Sequence, residues 1–236
     1  MKKKNSGFTL IELSIVIVIM GLILAGIFTG QDIIKQAKLR DIITDINKYS
    51  SALSAFNLEY NALPGDFNNA TAFWTSCTDN GGKNSSCNGD GDRKIEWSES
   101  STKEGFRAWQ HLSLAELIEG SYAGYANAAD SSQATIGVDV PASSYEDIGY
   151  SFDYLYEMNV MQIGSATPNA EDGTAWNTNK TGLYPLDVET IDRKIDDGNG
   201  DSGILISRGT NCDSSGVYAV TTESKVCAID YKLQFK

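Results

Sequence analysis

The sequence predicts an α+β protein in which a long N-terminal helix, apolar in its first half and amphipathic in its second, packs on a C-terminal globular head with an antiparallel sheet and acidic loops. Three observations predict it. Residues 8–28 form an apolar run broken by one ionisable side chain, Glu12. Residues 39–60 repeat apolar side chains at steps of three and four, and the short β-prone runs, bounded by Gly, Ser and Asp, come late in the chain.

The apolar run is 21 residues long and follows Lys2, Lys3 and Lys4. A hydrocarbon core of about 30 Å needs roughly 20 helical residues, so the run is long enough to span a bilayer. The lysines hold the preceding end in the cytoplasm and place the rest of the chain outside. An ordinary secretory signal has a shorter apolar core with a small-residue cleavage site after it. Here the small residue, Gly7, comes before the run, and cleavage there keeps the anchor. A carboxylate in a membrane helix costs about 2.5–3.5 kcal/mol at the bilayer centre and less toward the interface. Glu12 therefore either sits at headgroup depth or has a cationic partner.

Beyond the run, Leu39, Ile42, Ile43, Ile46, Tyr49, Leu53, Phe56 and Tyr60 make one amphipathic stripe, with Lys35, Lys38, Arg40, Asp41, Asp45 and Lys48 interleaved. No proline falls between Phe8 and Tyr60, which allows a single helix of 53 residues, about 80 Å at 1.5 Å per residue. Gly26 and Gly30 keep a second reading open, a membrane tether joined to a separate helix, because each interior Gly costs roughly 1 kcal/mol of helix preference. Pro64 and Gly65 end the pattern. The chain thus divides into 1–7, a leader; 8–28, the membrane part of the helix; 29–60, its amphipathic part; and 61–236, the head. Within the head, residues 104–119 read as a short amphipathic helix with Gly120 as its stop. Residues 150–156, 204–207, 217–222 and 228–233 read as strands, and residues 76–91 and 127–147 as loops.

Composition narrows the function classes. The 236 residues hold 19 Lys+Arg against 31 Asp+Glu, a net charge of -12. That argues against a phosphate-binding surface and against nucleic acid as a partner. With 41% hydrophobic and 10% aromatic residues the chain can build a core. One histidine, His111, has no Ser or Cys motif beside it and is expected to pack or cap rather than act as a base. Nothing sets two carboxylates at a glycosidase separation, so no enzyme is expected. Trp74, Trp97, Trp109 and Trp176 could line a ligand surface, but scattered aromatics more often form core. Four cysteines permit three connectivities. Sequence proximity favours Cys77 with Cys87 and Cys212 with Cys227, in an exported, oxidised head; their separations of 10 and 15 residues do not suit a zinc ribbon.

Residues 88–99 carry a second chemical signal, since Asn88, Asp90 and Asp92 alternate and Glu99 stands twelfth. The pattern resembles an EF-hand calcium loop, with a backbone carbonyl at Lys94, a bidentate Glu99 and the apolar eighth position at Ile95. It departs from that motif in Asn88, where Asp is usual, and in Arg93, where Gly is. Calcium is the cofactor this suggests; an acidic solvated turn is the alternative. A further run, Asp192, Asp196, Asp197, Asn199 and Asp201, has Arg208 where a twelfth-position Glu would fall and is expected to be structural. The surrounding stretch, residues 183–203, looks like one found in some larger bacterial prepilin-type proteins.

The residues Gly7-Phe8-Thr9-Leu10-Ile11-Glu12-Leu13 closely resemble the class III signal of type IV prepilins and type II secretion pseudopilins. The resemblance implies a pilin-like fold, cleavage by prepilin peptidase between Gly7 and Phe8, and N-methylation of the new Phe8 amine. It also implies that Glu12 pairs with the terminal amine of a neighbouring subunit, each charge making the other tolerable in lipid. Gly21 matches a glycine common in the family's anchor. Thr29 stands where type IVa pilins often have a kinking proline, which leaves pilus and pseudopilus both open. The implied partners are the peptidase, other pilin or pseudopilin subunits and the assembly platform of the bacterial inner membrane. The precursor would cross that membrane once with its head outside the cytoplasm, then enter a pilus or a periplasmic pseudopilus. The alternative role is a minor pilin whose head is an adhesive or substrate-binding module; a membrane-anchored enzyme fits less well.

Overall fold

The structure, a computed structural model, describes residues 9–75, 77, 86–96, 104–125, 134–166 and 180–235. It divides into two compact units, Met1–Lys38 and Leu39–Lys236. Helix α1 (Leu10–Tyr60) contributes to both.

In the first unit Thr9 caps the helix. The Thr9 amide and hydroxyl both donate to Glu12 Oε2, at 2.8 and 2.7 Å, and the Glu12 amide returns to Thr9 Oγ1 at 3.4 Å. This is a capping box, which fills amide positions that have no partner within the helix. The hydroxyls of Ser14 and Thr29 donate to the Ile11 and Ala25 carbonyls and hide their polarity in the apolar run. The large side chains of the run are exposed, Leu22 at 70% and Phe28 at 65%. The segment is long and apolar enough to cross a membrane.

The second unit forms around the rest of α1, which buries Leu39, Ile42, Ile46, Tyr49, Ala52, Leu53 and Phe56 along one stripe. The helix ends at Tyr60, where Asn61 turns left-handed at φ 50°. It is followed by α2 (Ala70–Phe73), α3 (Glu104–Leu114), β1 (Gly149–Leu155), β2 (Met158–Gly164), α4 (Pro185–Ile195), β3 (Leu205–Arg208), β4 (Asp213–Ser214), β5 (Val217–Tyr218) and β6 (Ala228–Lys232). The main sheet has the order β1-β2-β6-β3 with every pair antiparallel; β4 and β5 form a separate hairpin. Tyr49 stands edge-on to both Trp109 of α3 and Tyr150 of β1, with centroids 4.9 and 5.1 Å away. Trp109 stacks on Phe152 at 4.3 Å. The core is therefore α1, α3 and the inner face of the sheet.

Several elements differ from the sequence reading. Helix α3 stops at Leu114, five residues before its expected end, because Glu116 adopts φ 56°. The Leu117 amide then bonds the Leu112 carbonyl and the Glu116 amide the Ser113 carbonyl, a left-handed cap that works here without glycine. Strand β2 had no period-2 signal because it is buried on both faces from Asn159 to Gly164. Helix α4 starts at Pro185, which needs no amide partner in the first turn, and its acidic content hid a buried stripe of Val188 and Ile191. Residues 217–222 pair only at Val217 and Tyr218.

Two acids of α1 hold the helix to the sheet side of its unit. The Tyr150 hydroxyl donates to Asp45 at 2.7 Å in a part-buried setting, and the Ser144 hydroxyl donates to Asp41 at 2.8 Å in an exposed one. Removing the first donor leaves a half-buried carboxylate unsatisfied, at a cost of about 1–3 kcal/mol. Tyr150→Phe should therefore lower the unfolding free energy by roughly that amount, and Ser144→Ala by well under about 1 kcal/mol. Chemical denaturation of both variants measures the contrast, and equal losses would contradict the assigned burial.

Candidate functional site

The described part of the 88–96 loop folds onto the turn that follows α1. Two glycines allow the approach. A Cβ on Gly65, which has φ 89°, would meet the Glu104 carbonyl, and one on Gly89 would fall on the backbone of Gly65 and Asp66. The Gly89 amide donates to the Phe67 carbonyl at 3.0 Å.

This contact brings Asp66 under the loop. Its Oδ1 accepts the amides of Gly91 and Asp92 at 2.5 and 3.0 Å, and its Oδ2 accepts the Arg93 amide at 2.7 Å. Glu104, at the start of α3, accepts the Asp90 amide on Oε1 and the Glu96 amide on Oε2, at 3.1 and 3.2 Å. Both acids are buried, at 2% and 1% exposure. Neither belongs to the spacing that singled out the loop, and no local sequence signal marks Asp66.

Within the loop, Asp90 Oδ1 accepts the Asp92 amide and Asp92 Oδ1 the Lys94 amide. Arg93 adopts φ 70°, the left-handed conformation for which the calcium motif uses glycine. Ile95 is fully buried, and Asn159 of β2 clasps the backbone there by accepting the Ile95 amide and donating to the Arg93 carbonyl. Asn88 turns elsewhere: its Oδ1 accepts both the amide and the hydroxyl of Thr71. Lys94 forms an ion pair with Asp92 at 3.0 Å. Glu99 lies outside the described residues, as do Gly7, Phe8, Trp97 and Trp176.

The oxygens that converge are those of Asp66, Asp90 and Asp92, one from each lying within 4.8 Å of the others. A second group, Asp192, Asp196 and Asp197, meets the same condition. Carboxylate oxygens suit hard cations, and each group could hold a metal ion. Both disulfides join the pairs that proximity favoured, Cys77 with Cys87 and Cys212 with Cys227. The first anchors the loop entrance, where the Cys87 carbonyl meets His111 Nε2 at 2.9 Å and Arg107 donates to the Asn88 carbonyl at 2.6 Å. The Gly65 amide donates to His111 Nδ1 at 2.9 Å, so the proton sits on Nε2. Burial pushes His111 down to about 4, and the ring stays neutral beside Phe56 and Trp74.

Residues 2–28 match the prokaryotic N-terminal methylation motif, the signal of type IV prepilins and pseudopilins. The match covers the basic leader, Glu12 and the apolar part of α1, and it shows that signal motif in this chain. No curated protein and no solved structure matches the chain.

Burial pushes Asp66 up to about 6 and Glu104 up to about 7, against the loop amides that favour their charged forms, with help from the neighbouring carboxylates. The folded head therefore keeps protons on both that the unfolded chain releases near 4, so this pair loses stability as pH rises from about 4 to about 7. His111 acts in the opposite sense, adding stability as pH rises from about 4 to 6.5. Of these three groups, only Glu104 still contributes a loss above 6.5. In chelator, the melting midpoint should fall between pH 6 and pH 8, and Glu104→Gln should flatten that fall. A scan at several pH values checks both.

Proposed function

We propose that this chain is a non-enzymatic structural subunit, a pilin or pseudopilin of a type IV pilus or a type II secretion pseudopilus. Prepilin peptidase cuts it between Gly7 and Phe8 and methylates the Phe8 amine, and α1 then assembles it with other subunits at the inner-membrane platform. One observation carries this reading: the methylation motif coincides with a helix whose apolar side chains the chain itself leaves exposed. Lipid before assembly and neighbouring helices after it supply the missing cover.

Glu12 fits the assembly role. Both bonds from Thr9 fall on its Oε2, and the other oxygen remains to meet a neighbour's Phe8 amine. Loss of the carboxylate eases insertion but strands that amine in a low-dielectric bundle. Glu12→Ala protein should accordingly reach the membrane at or above wild-type levels and enter filaments poorly, as measured by fractionating sheared filaments from membranes. Gly7→Leu should retain the leader, read as a mature chain that still begins at Met1 in mass spectra. Wild-type polymer from Glu12→Ala would falsify the assembly role.

A second reading, a minor subunit whose head engages a ligand, is favoured by Phe73. It is 57% exposed, and it packs edge-on to Tyr60 at the rim of an aromatic cluster that includes Phe67 and Trp74.

For the group at Asp66, Asp90 and Asp92 the ion is calcium. The loop's left-handed Arg93, buried Ile95 and alternating carboxylates support it, with Asp66 adding a third converging oxygen. An ion bound only by the folded state adds about 2.7 kcal/mol at a hundredfold excess over Kd. Calcium should raise the melting midpoint of the wild-type chain, and Asp90→Ala with Asp92→Ala should reduce the rise. A wild-type midpoint that is the same in calcium and in chelator would exclude the site.

A further inference from the structure

The other carboxylate group lies at the end of α4. Asp192 is in the last turn, Asp196 is the C-cap and Asp197 follows it. Three acids here oppose the helix's own field, whose C-terminal end carries about half a negative charge. The basic side chains of that turn do not answer them: Arg193 turns back to Glu189 at 2.7 Å. Among the described residues no Lys or Arg forms an ion pair with Asp192, Asp196 or Asp197.

A separate observation points to a missing partner. Asp192 is 0% exposed, and the Tyr218 hydroxyl donates to its Oδ2 at 2.8 Å. Its Oδ1 is equally buried and has no hydrogen bond of good geometry, the Gly198 amide alone reaching toward the carboxylate besides Tyr218. A buried carboxylate oxygen left without a donor or a cation is costly. The other two acids shape the following turn. Asp197 accepts the Asn199 amide and the Ser202 hydroxyl, at 2.8 and 2.7 Å, and Asp196 accepts the amides of Ile204 and Leu205.

Each ligand oxygen of calcium lies about 2.4 Å from the ion, so oxygens on opposite sides of it are about 4.8 Å apart. One oxygen from each acid falls within that span. We propose that Asp192, Asp196 and Asp197 bind a divalent, oxygen-preferring cation of calcium type, with the buried Asp192 as the inner ligand. The ion fastens the end of α4 to the β4–β5 hairpin, because Tyr218 of β5 already holds Asp192 and the Gly200 amide bonds the Gly216 carbonyl at 2.9 Å. The Cys212–Cys227 disulfide closes the same hairpin region.

The test uses the full chain in detergent micelles, stripped with chelator and titrated with calcium by calorimetry. Asp90→Asn and Asp92→Asn together take the group at Asp66 out of the measurement, so this result does not depend on that one. The double variant should still bind one calcium. Adding Asp197→Asn should weaken that binding at least threefold, and adding Asp192→Asn should do the same. Asp197 is exposed, so its replacement leaves the core intact even if the buried Asp192→Asn fails to fold. The cation-free melting midpoint confirms this. The proposal is overturned if the double variant binds no calcium, or if Asp197→Asn changes its affinity less than threefold while the cation-free midpoint stays put.

Discussion

Everything after Tyr60 has to cover the stripe of α1 between Leu39 and Phe56. Each Leu, Ile or Phe taken fully out of water there contributes about 1.5–3 kcal/mol, and five of the seven stripe residues are at 0–1% exposure. Helix α3 brings Phe106, Trp109 and Leu112 to this surface, and β1 brings Tyr150 and Phe152. The packing also decides what becomes of the polar residues on the helix flanks. Asp41 and Asp45, which a helical wheel leaves to solvent, accept hydroxyls from the segment that leads into the sheet and from β1.

The head's acidity is managed mostly by neutral donors. Backbone amides serve Asp66, Glu104 and Asp196, while tyrosine hydroxyls serve Asp45, Asp187, Asp192 and Asp230. Arg208 adds its guanidinium only at Asp230, 3.4 Å away. Hydrogen bonds of this kind satisfy lone pairs without cancelling charge, and burial then raises Asp45, Asp66, Glu104, Asp192 and Asp230 toward neutrality. Burial first, and then the adjoining carboxylates, push Tyr145 and Tyr218 upward as well. Protons or divalent cations are the natural complements of such a surface, and a chain with 31 acids against 19 bases offers few others.

The N-terminal part of α1 obeys a different solvent. Among the described residues, a Cβ added at Gly21, Gly26 or Gly30 would meet nothing within 4 Å, and the apolar side chains around them are exposed. A helix of this kind is stable where lipid or other helices surround it and every backbone group is bonded internally. Its charged residue, Glu12, is held by a local cap that fills only part of the carboxylate's capacity.

The apolar run, the stripe of α1, the start of α3 and the pairing of the cysteines were all legible in the sequence, because each rests on spacing within a few residues along the chain. The same is true of Asp90 and Asp92, whose alternation marks a loop that can gather oxygens. Asp66 and Glu104 were not legible. They reach the loop from the turn after α1 and from the start of α3, and only packing of Gly89 against Gly65 and Asp66 puts them beneath it. Strand β2 was hidden because burial on both faces erases the alternation that reveals a strand. Asn88 kept its place in the spacing yet gave its oxygen to Thr71, which tertiary contact alone could decide: a side chain's type is local, but its partner is whichever donor the fold brings within reach.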